Sequence, residues 1–394
     1  MANQFQVLIL NNVSQNGLKR LPAERFSCAK EVAAPDAILL RSADLHSMDI
    51  PKSVLAIGRA GSGTNNIPVK EMSKRGVPVF NAPGANANAV KELVLAGMLM
   101  AARNIGGAIK FVGALDPKDA EMEKKVEGGK KTYAGYELAG HTLGVVGLGK
   151  IGCLVADAAI KLGMNVVGYD PEITVDAAWS LPSQVKKANS LGEVLKNVNF
   201  LTLHVPLVDA TRKMINAESI EQMKHGAVVL NFAREGVVDE AAVLAALEAK
   251  KLATYVCDFP SAHVNSHPHV IALPHLGAST REAEENCAIM VADQVRDYLL
   301  DGNVVNAVNF PGVVMPRESG FRIAIANANV PNMVGQISTA MAEAKLNIHN
   351  MMNKSKGDVA YTLVDVDSQV PKTVIDAIAR IEGVLAVRYL PVEG

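Results

Sequence analysis

Residues 142–170, TLGVVGLGKIGCLVADAAIKLGMNVVGYD, hold the pattern with the most definite chemistry. Two short apolar runs flank Gly147-x-Gly149-x-x-Gly152, and the second run ends on Asp170. Gly147 permits a tight turn, Gly149 lets backbone N–H groups approach an anion, and Gly152 lets a helix pack close to the preceding strand. An anion at that position, such as a pyrophosphate, meets the unpaired amides and positive dipole of a helix N-terminus, beginning at Lys150 and Ile151. Asp170 stands close to the ~20-residue offset expected for an acid that accepts the ribose hydroxyls. Its charge repels a 2′-phosphate, and Pro171 and Glu172 supply no arginine to offset that. The spacing therefore predicts a βαβ unit that binds NAD rather than NADP.

Two further segments follow apolar runs of strand type. Asn231-Phe-Ala-Arg234-Glu-Gly-Val-Val-Asp239 places an arginine just past one strand, and Pro274-His275-Leu-Gly-Ala-Ser-Thr280 places a histidine past another. In doubly wound sheets the carboxyl ends of strands are where ligands bind. A guanidinium there suits bidentate binding of a carboxylate or polarisation of a carbonyl. A histidine can take a hydroxyl proton as hydride leaves carbon. Nearer the N-terminus, Arg41-Ser42 and Arg59 each follow a short apolar run, and two forked cations on adjacent loops suit a phosphate dianion.

With these residues in view, the chain resembles the D-isomer-specific 2-hydroxyacid dehydrogenases over nearly its whole length. The resemblance rests on GRAGSGTNNI (58–67), VFNAPGANA (79–87), GLGKIG (147–152), HVPL (204–207), NFAREGVVDE (231–240) and PHLGAST (274–280). It implies that Arg234 orients the substrate carboxylate and keto oxygen and that His275 is the acid–base. It also implies that Lys150, Ile151, Asp170, Val205, Asp258 and the backbone around Phe232 line the NAD site. Phosphate binding by Arg41, Ser42 and Arg59 is favoured by the same resemblance, with Ser62 and Asn81 near the mouth of the site. The substrate implied is 3-phosphoglycerate, oxidised to 3-phosphohydroxypyruvate. A hydroxypyruvate/glyoxylate or D-lactate reductase is the alternative within the family, and a non-catalytic NAD-sensing binding protein the alternative outside it.

One departure is plain. The family pairs its histidine with a glutamate in a D-V-F-x-x-E-P segment. Here Cys257-Asp258-Phe259-Pro260-Ser261-Ala262-His263 offers Ala262 or His263 at that place, depending on register. Glu282 and Glu285 are the nearby carboxylates in sequence, and the residue types do not choose between them.

The tail, 320–394, has the βαββαβ order of a ferredoxin-like unit and resembles an ACT regulatory domain. In serine-inhibited relatives the effector sits on an H-x-N-x-P-G turn and on an asparagine ahead of the third apolar run. The matching residues here are Asn327, Asn329 and Asn347, with Asn327 in place of the histidine and Asn332 in place of the glycine. L-serine is the effector this implies.

The elements that must position these groups are an alternation of short apolar runs and helical stretches, which predicts parallel sheets covered by helices on both faces. The expected organisation is a substrate-binding domain (1–95 and 287–305), an NAD-binding Rossmann domain (96–286), a linker (306–319) rich in Pro, Gly and Asn, and the tail unit (320–394). A helix over 88–103 is expected to cross between domains, and 110–136 reads as a charged, exposed excursion. Lys plus Arg number 39 against 40 Asp plus Glu, a net charge of −1 that gives no general attraction to nucleic acid or membrane. Cys28, Cys153, Cys257 and Cys287 are scattered, without C-x-x-C spacing, so neither a disulfide framework nor a zinc site is expected. His263, His267 and His269 lack a nearby cysteine or paired carboxylate and read as a solvated loop. A cytoplasmic homodimer or homotetramer is the expected form.

Overall fold

The computed structural model describes residues 4–392; the extreme ends of the expected first and last domains lie outside them. The chain divides into two units, 1–86 with 281–394, and 87–280. Each changeover falls where a helix begins, Ala87–Ala102 and Arg281–Asp301, ahead of the expected positions 96 and 287.

The first unit holds a five-stranded parallel sheet: β1 (Phe5–Leu10), β2 (Phe26–Ala29), β3 (Ala37–Leu40), β4 (Ala56–Arg59) and β5 (Val79–Phe80), in the order β2-β1-β3-β4-β5. The order reverses between β1 and β3, so the crevice beyond their carboxyl ends is a topological switch point. Arg41 and Ser42 follow β3 there, and the Ser42 amide donates to Asn11 Oδ1 across it (3.2 Å). The 281–301 helix lies on this sheet, and a Cβ on Gly58 would come within 2.6 Å of Val291.

The second unit is built on β6 (Thr142–Val146), β7 (Asn165–Tyr169), β8 (Lys186–Lys187), β9 (Phe200–Leu203), β10 (Ala227–Asn231), β11 (Leu252–Cys257) and β12 (Val270–Ala272). All are parallel, in the order β12-β11-β10-β9-β6-β7-β8. This is the doubly wound dinucleotide-binding arrangement, with its switch point between β6 and β9. Every residue of β9 and β10 is buried, which is why those strands are continuous apolar runs rather than alternating ones. The 110–136 excursion is helical in part, Ile105–Gly113 and Met122–Gly129, with no buried residue in either helix.

The tail forms β13 (Phe321–Ala328), β14 (Ile348–Lys356), β15 (Val359–Val366) and β16 (Val384–Pro391), antiparallel in the order β14-β15-β13-β16, with helices Met333–Glu343 and Lys372–Ala379. Ile323, Ile325, Val364 and Val366 face those helices. Alternate residues Ala324, Ala326, Tyr361 and Leu363 join the same core as Val7, Phe80, Val291 and Tyr298. The tail is thus packed into the first unit instead of hanging from a linker. Within the expected linker Phe310, Val313 and Met315 are buried, and Val304 pairs with Val313.

Polar groups fasten the same contact. Arg322 is wholly buried; its Nε and Nη2 donate to the two oxygens of Asp365, and its remaining N–H groups reach the carbonyls of Asp301, Met315 and Pro316. Arg388 donates to the carbonyls of Tyr298 and Leu299 at the end of the 281–301 helix, with its guanidinium 4.7 Å from the Tyr298 ring centre. The Tyr361 hydroxyl donates to Gly302 O (2.8 Å).

Candidate active site

In the second unit the turn after β6 has the shape that a dinucleotide requires. Gly147 has φ +89°, and a Cβ there would lie 2.5 Å from His204 O. A Cβ on Gly152 would meet Gly147 O at 2.0 Å, so the helix Lys150–Lys161 can approach the turn only with glycine at that place. Gly149 opens on free space and caps the helix without a side chain. The first amides of that helix have no intrahelical acceptor and face an opening that an anion fits. Lys150 is exposed and Ile151 half-buried beside it, and Val205 follows β9 on the other side of the switch point. Asp170 ends β7; Oδ2 accepts from the Leu148 amide (2.8 Å) and Oδ1 from the Glu172 amide (2.9 Å). Each carboxylate oxygen keeps a lone pair for a ribose hydroxyl. These residues fit an NAD molecule.

Beyond it, three successive strands end in three functional side chains. Arg234 follows β10, Phe259 follows β11 and His275 follows β12. The Phe259 and His275 rings lie 4.5 Å apart, and the Arg234 guanidinium carbon is 5.9 Å from the centre of the same Phe259 ring. Both Arg234 and His275 are exposed and accessible to a ligand.

Buried polar residues fix the loops that carry them. Asn231, fully buried, accepts from the Ala233 amide and donates to Arg234 O (2.9 Å), with the Tyr255 hydroxyl beside it. Phe232 is buried next to it. Arg234 Nη1 donates to Ala233 O (2.6 Å), so the guanidinium is partly committed before any ligand arrives.

Asp258 does the same for the histidine. Its two oxygens accept from the amides of Leu276 (2.7 Å) and Gly277 (2.8 Å), and its carbonyl accepts from the His275 amide. That pins His275 at φ +56°, a left-handed backbone uncommon outside glycine and asparagine. Burial pushes the Asp258 carboxyl above its usual range; the two amides and the charge of His275 oppose this. Asp258, expected along the NAD site, thus also clamps the histidine turn. Asn231, Tyr255 and Phe259 are the supporting residues of this arrangement that motif reading misses. Their only sequence signal is a polar or aromatic residue at the end of an apolar strand run.

Glu282 and Glu285 belong to the first unit; Glu282 is exposed and paired with Arg281. Within the second unit the carboxylate whose charge reaches His275 is Asp258. His267 pairs with Glu248 (3.2 Å) and its Nδ1 accepts from the His269 amide. Among the described residues no group of three His, Cys, Asp or Glu side chains is placed to hold a metal ion.

In the first unit Arg41 follows β3 and Arg59 is the last residue of the neighbouring β4, and Arg59 Nε donates to Arg41 O (3.0 Å). Arg41 Nη1 pairs with Glu284 Oε1 at 2.7 Å. Ser62 is exposed, and its carbonyl accepts from Asn81 Nδ2 (2.6 Å).

In the tail the three asparagines do not converge within one chain. Asn327 and Asn329 sit at the end of β13, where Asn327 is buried with Oδ1 unpartnered and Asn329 Nδ2 donates to Gly357 O. Asn347 precedes β14, level with the start of β13 and roughly 20 Å away by strand rise.

The fold and the glycine turn define a dinucleotide-dependent dehydrogenase. Residues 95–277 match the family described as "D-isomer specific 2-hydroxyacid dehydrogenase, NAD binding domain". The chain is 32% identical over 349 residues to a D-3-phosphoglycerate dehydrogenase of Haemophilus influenzae, spanning 86% of this chain and 81% of that protein. It is 36% identical over 293 residues to a protein of the same name from Methanocaldococcus jannaschii, spanning 72% of this chain but only 53% of that one. Among solved structures, a cofactor (NAD+)-bound 3-phosphoglycerate dehydrogenase of Entamoeba histolytica superposes with a TM-score of 0.61 at 24% identity, covering 78% of this chain and 99% of that one. The chain belongs to the D-isomer-specific 2-hydroxyacid dehydrogenase family and carries its NAD-binding domain.

Proposed function

We propose that the protein oxidises D-3-phosphoglycerate to 3-phosphohydroxypyruvate with NAD, the first step of L-serine biosynthesis. The observation that carries the chemistry is the convergence of Arg234 and His275 on one ring at the carboxyl ends of β10–β12. Arg234 binds the substrate carboxylate and draws electron density from the C2 oxygen. His275 takes the C2 hydroxyl proton as the C2–H bonding pair departs as hydride, and returns a proton in the reverse direction. When bound, NAD supplies the acceptor for that hydride.

Arg41 and Arg59, with Ser42, Ser62 and Asn81, serve as the phosphate-binding face, which accords with the names of the relatives. A second reading, reduction of an unphosphorylated keto acid such as hydroxypyruvate or glyoxylate, is favoured by one observation: a carboxylate already occupies Arg41. Steady-state NADH consumption with phosphohydroxypyruvate, hydroxypyruvate and pyruvate in parallel separates the two. A preference of tenfold or more in kcat/KM for the phosphorylated acid supports the first reading, and equal rates favour the second.

The remaining proposals concern assembly and control. Leu99, Ile109, Val112 and Tyr136 expose apolar surface on the 87–102 helix and the excursion after it, which suits a homodimer or a homotetramer built from it. No single helix among the described residues is long and apolar enough to cross a membrane, which accords with a cytoplasmic enzyme. The tail serves as an ACT-type regulatory domain, with Asn327 and Asn329 the residues for L-serine. The separation of Asn347 means that it joins them only from another copy of the chain. A shift in melting temperature and loss of rate at saturating L-serine, both abolished by Asn329→Ala, test this role.

A further inference from the structure

Residues 257–263 supply no glutamate to His275, and the Phe259 ring lies against its imidazole. Phe259 follows β11 directly after Asp258, and its ring lies 4.5 Å from the imidazole at 53°, while Arg234 stands 5.9 Å from the same ring centre. The face of a phenyl ring carries negative quadrupole charge and attracts a cation within about 6 Å. We propose that Phe259 is the positioning residue of this site: one aromatic platform that orients both the arginine and the histidine and favours the imidazolium formed during turnover. This rests on the reading of His275 as the acid–base.

The surroundings are consistent with a platform and not a hidden dyad. Within the second unit Asp258, Arg234 across the shared ring, Val90 next to Gly277 and the Ser279 hydroxyl face the 275–277 turn. Asp258 is the only carboxylate among these, and both its oxygens are engaged by the Leu276 and Gly277 amides. Its carboxylate holds the backbone beneath the imidazole, which leaves the orientation of the ring itself to Phe259. The chain puts its carboxylate under the loop and its ring against the side chain.

Phe259→Leu keeps apolar bulk and removes the π face, whereas Phe259→Tyr keeps the face. Phe259→Leu should lower kcat for keto-acid reduction about two- to tenfold. Its pH–rate midpoint should move to lower pH by about half a unit to one unit, and Phe259→Tyr should restore both. A second readout needs no turnover: the histidine C–H resonance that disappears in His275→Ala should titrate at lower pH in Phe259→Leu without cofactor. If that resonance and the rate profile are unmoved while His275→Ala loses turnover, the platform is wrong and the acid–base reading stands. If His275→Ala turns over like wild type, the acid–base reading is wrong, and the resonance alone decides whether the ring acts on the imidazole.

Discussion

Arg41 Nη1 stands 2.7 Å from Glu284 Oε1, joining the loop after β3 to the first turn of the 281–301 helix. Both side chains are more than a third exposed, so the pair is worth at most about 1 kcal/mol. A phosphate dianion can therefore compete for the guanidinium, but it must displace a carboxylate to do so. Glu284→Gln should lower KM for a phosphorylated substrate about two- to fivefold and leave KM for hydroxypyruvate unchanged. A rise in KM for both in steady-state assays would show instead that Glu284 holds Arg41 in its working position.

Asp170 combines two roles, accepting from the Leu148 amide and presenting negative charge at the end of β7. Asp170→Ala should raise the NADP-to-NAD ratio of kcat/KM at least tenfold, because repulsion of a 2′-phosphate is lost together with the ribose acceptor. The ratio is read from parallel titrations of the two cofactors; an unchanged value would place the discrimination elsewhere.

Arg322 and Asp365 form a wholly buried pair whose removal from one side leaves an uncompensated charge. Arg322→Met should destabilise the first unit by about 3–5 kcal/mol in denaturant unfolding. The double variant Arg322→Met/Asp365→Leu should recover a large part of that loss. Equal losses in the single and double variants would mean that the carbonyl bonds to Asp301, Met315 and Pro316, not the charge pair, dominate.

His204, at the end of β9, has its Nε2 3.0 Å from Thr202 Oγ1 and its Nδ1 buried without a partner. Burial pushes its imidazole down to about 3. The unfolded chain takes up this proton near pH 6.5 while the folded chain refuses it. Its contribution is therefore fully present above pH 6.5 and lost progressively as pH falls toward 3. Roughly 3–5 kcal/mol is at stake over that window. His204→Gln should flatten the stability curve between pH 6.5 and 4, measured by denaturant midpoints. A variant as acid-sensitive as wild type would refute this account.

The strands of both parallel sheets were readable because burial on two faces makes them apolar runs, as in Ala227–Asn231 and Ala37–Leu40. Phe26–Ala29 and Lys186–Lys187, at sheet edges, carry little apolar pattern because they are largely solvated. Arg234 and His275 could be picked out because each follows a strand in a polar, glycine-bearing segment. Their common neighbour could not, since Phe259 meets them only through the lateral order of three strands. The 306–319 segment reads as a tether because its Pro, Gly and Asn report turn preference, whereas the burial of Phe310 and Met315 depends on the surface they fold against. Arg322 likewise gives no sign in sequence that all its donors are used.

The discontinuity of the first unit bears on how the protein is made. Gly17 packs directly on Ala288, and Phe80 bridges to Ala307, so β1–β5 cannot close their core until residues 281–394 have left the ribosome. The contiguous stretch 87–280 has all of its strands by then and can fold first. In the meantime β1–β5 can pair only with one another, and their sheet lacks the helix that covers one face. Synthesis thus passes through a stage in which an apolar sheet face stays uncovered until the 281–301 helix arrives.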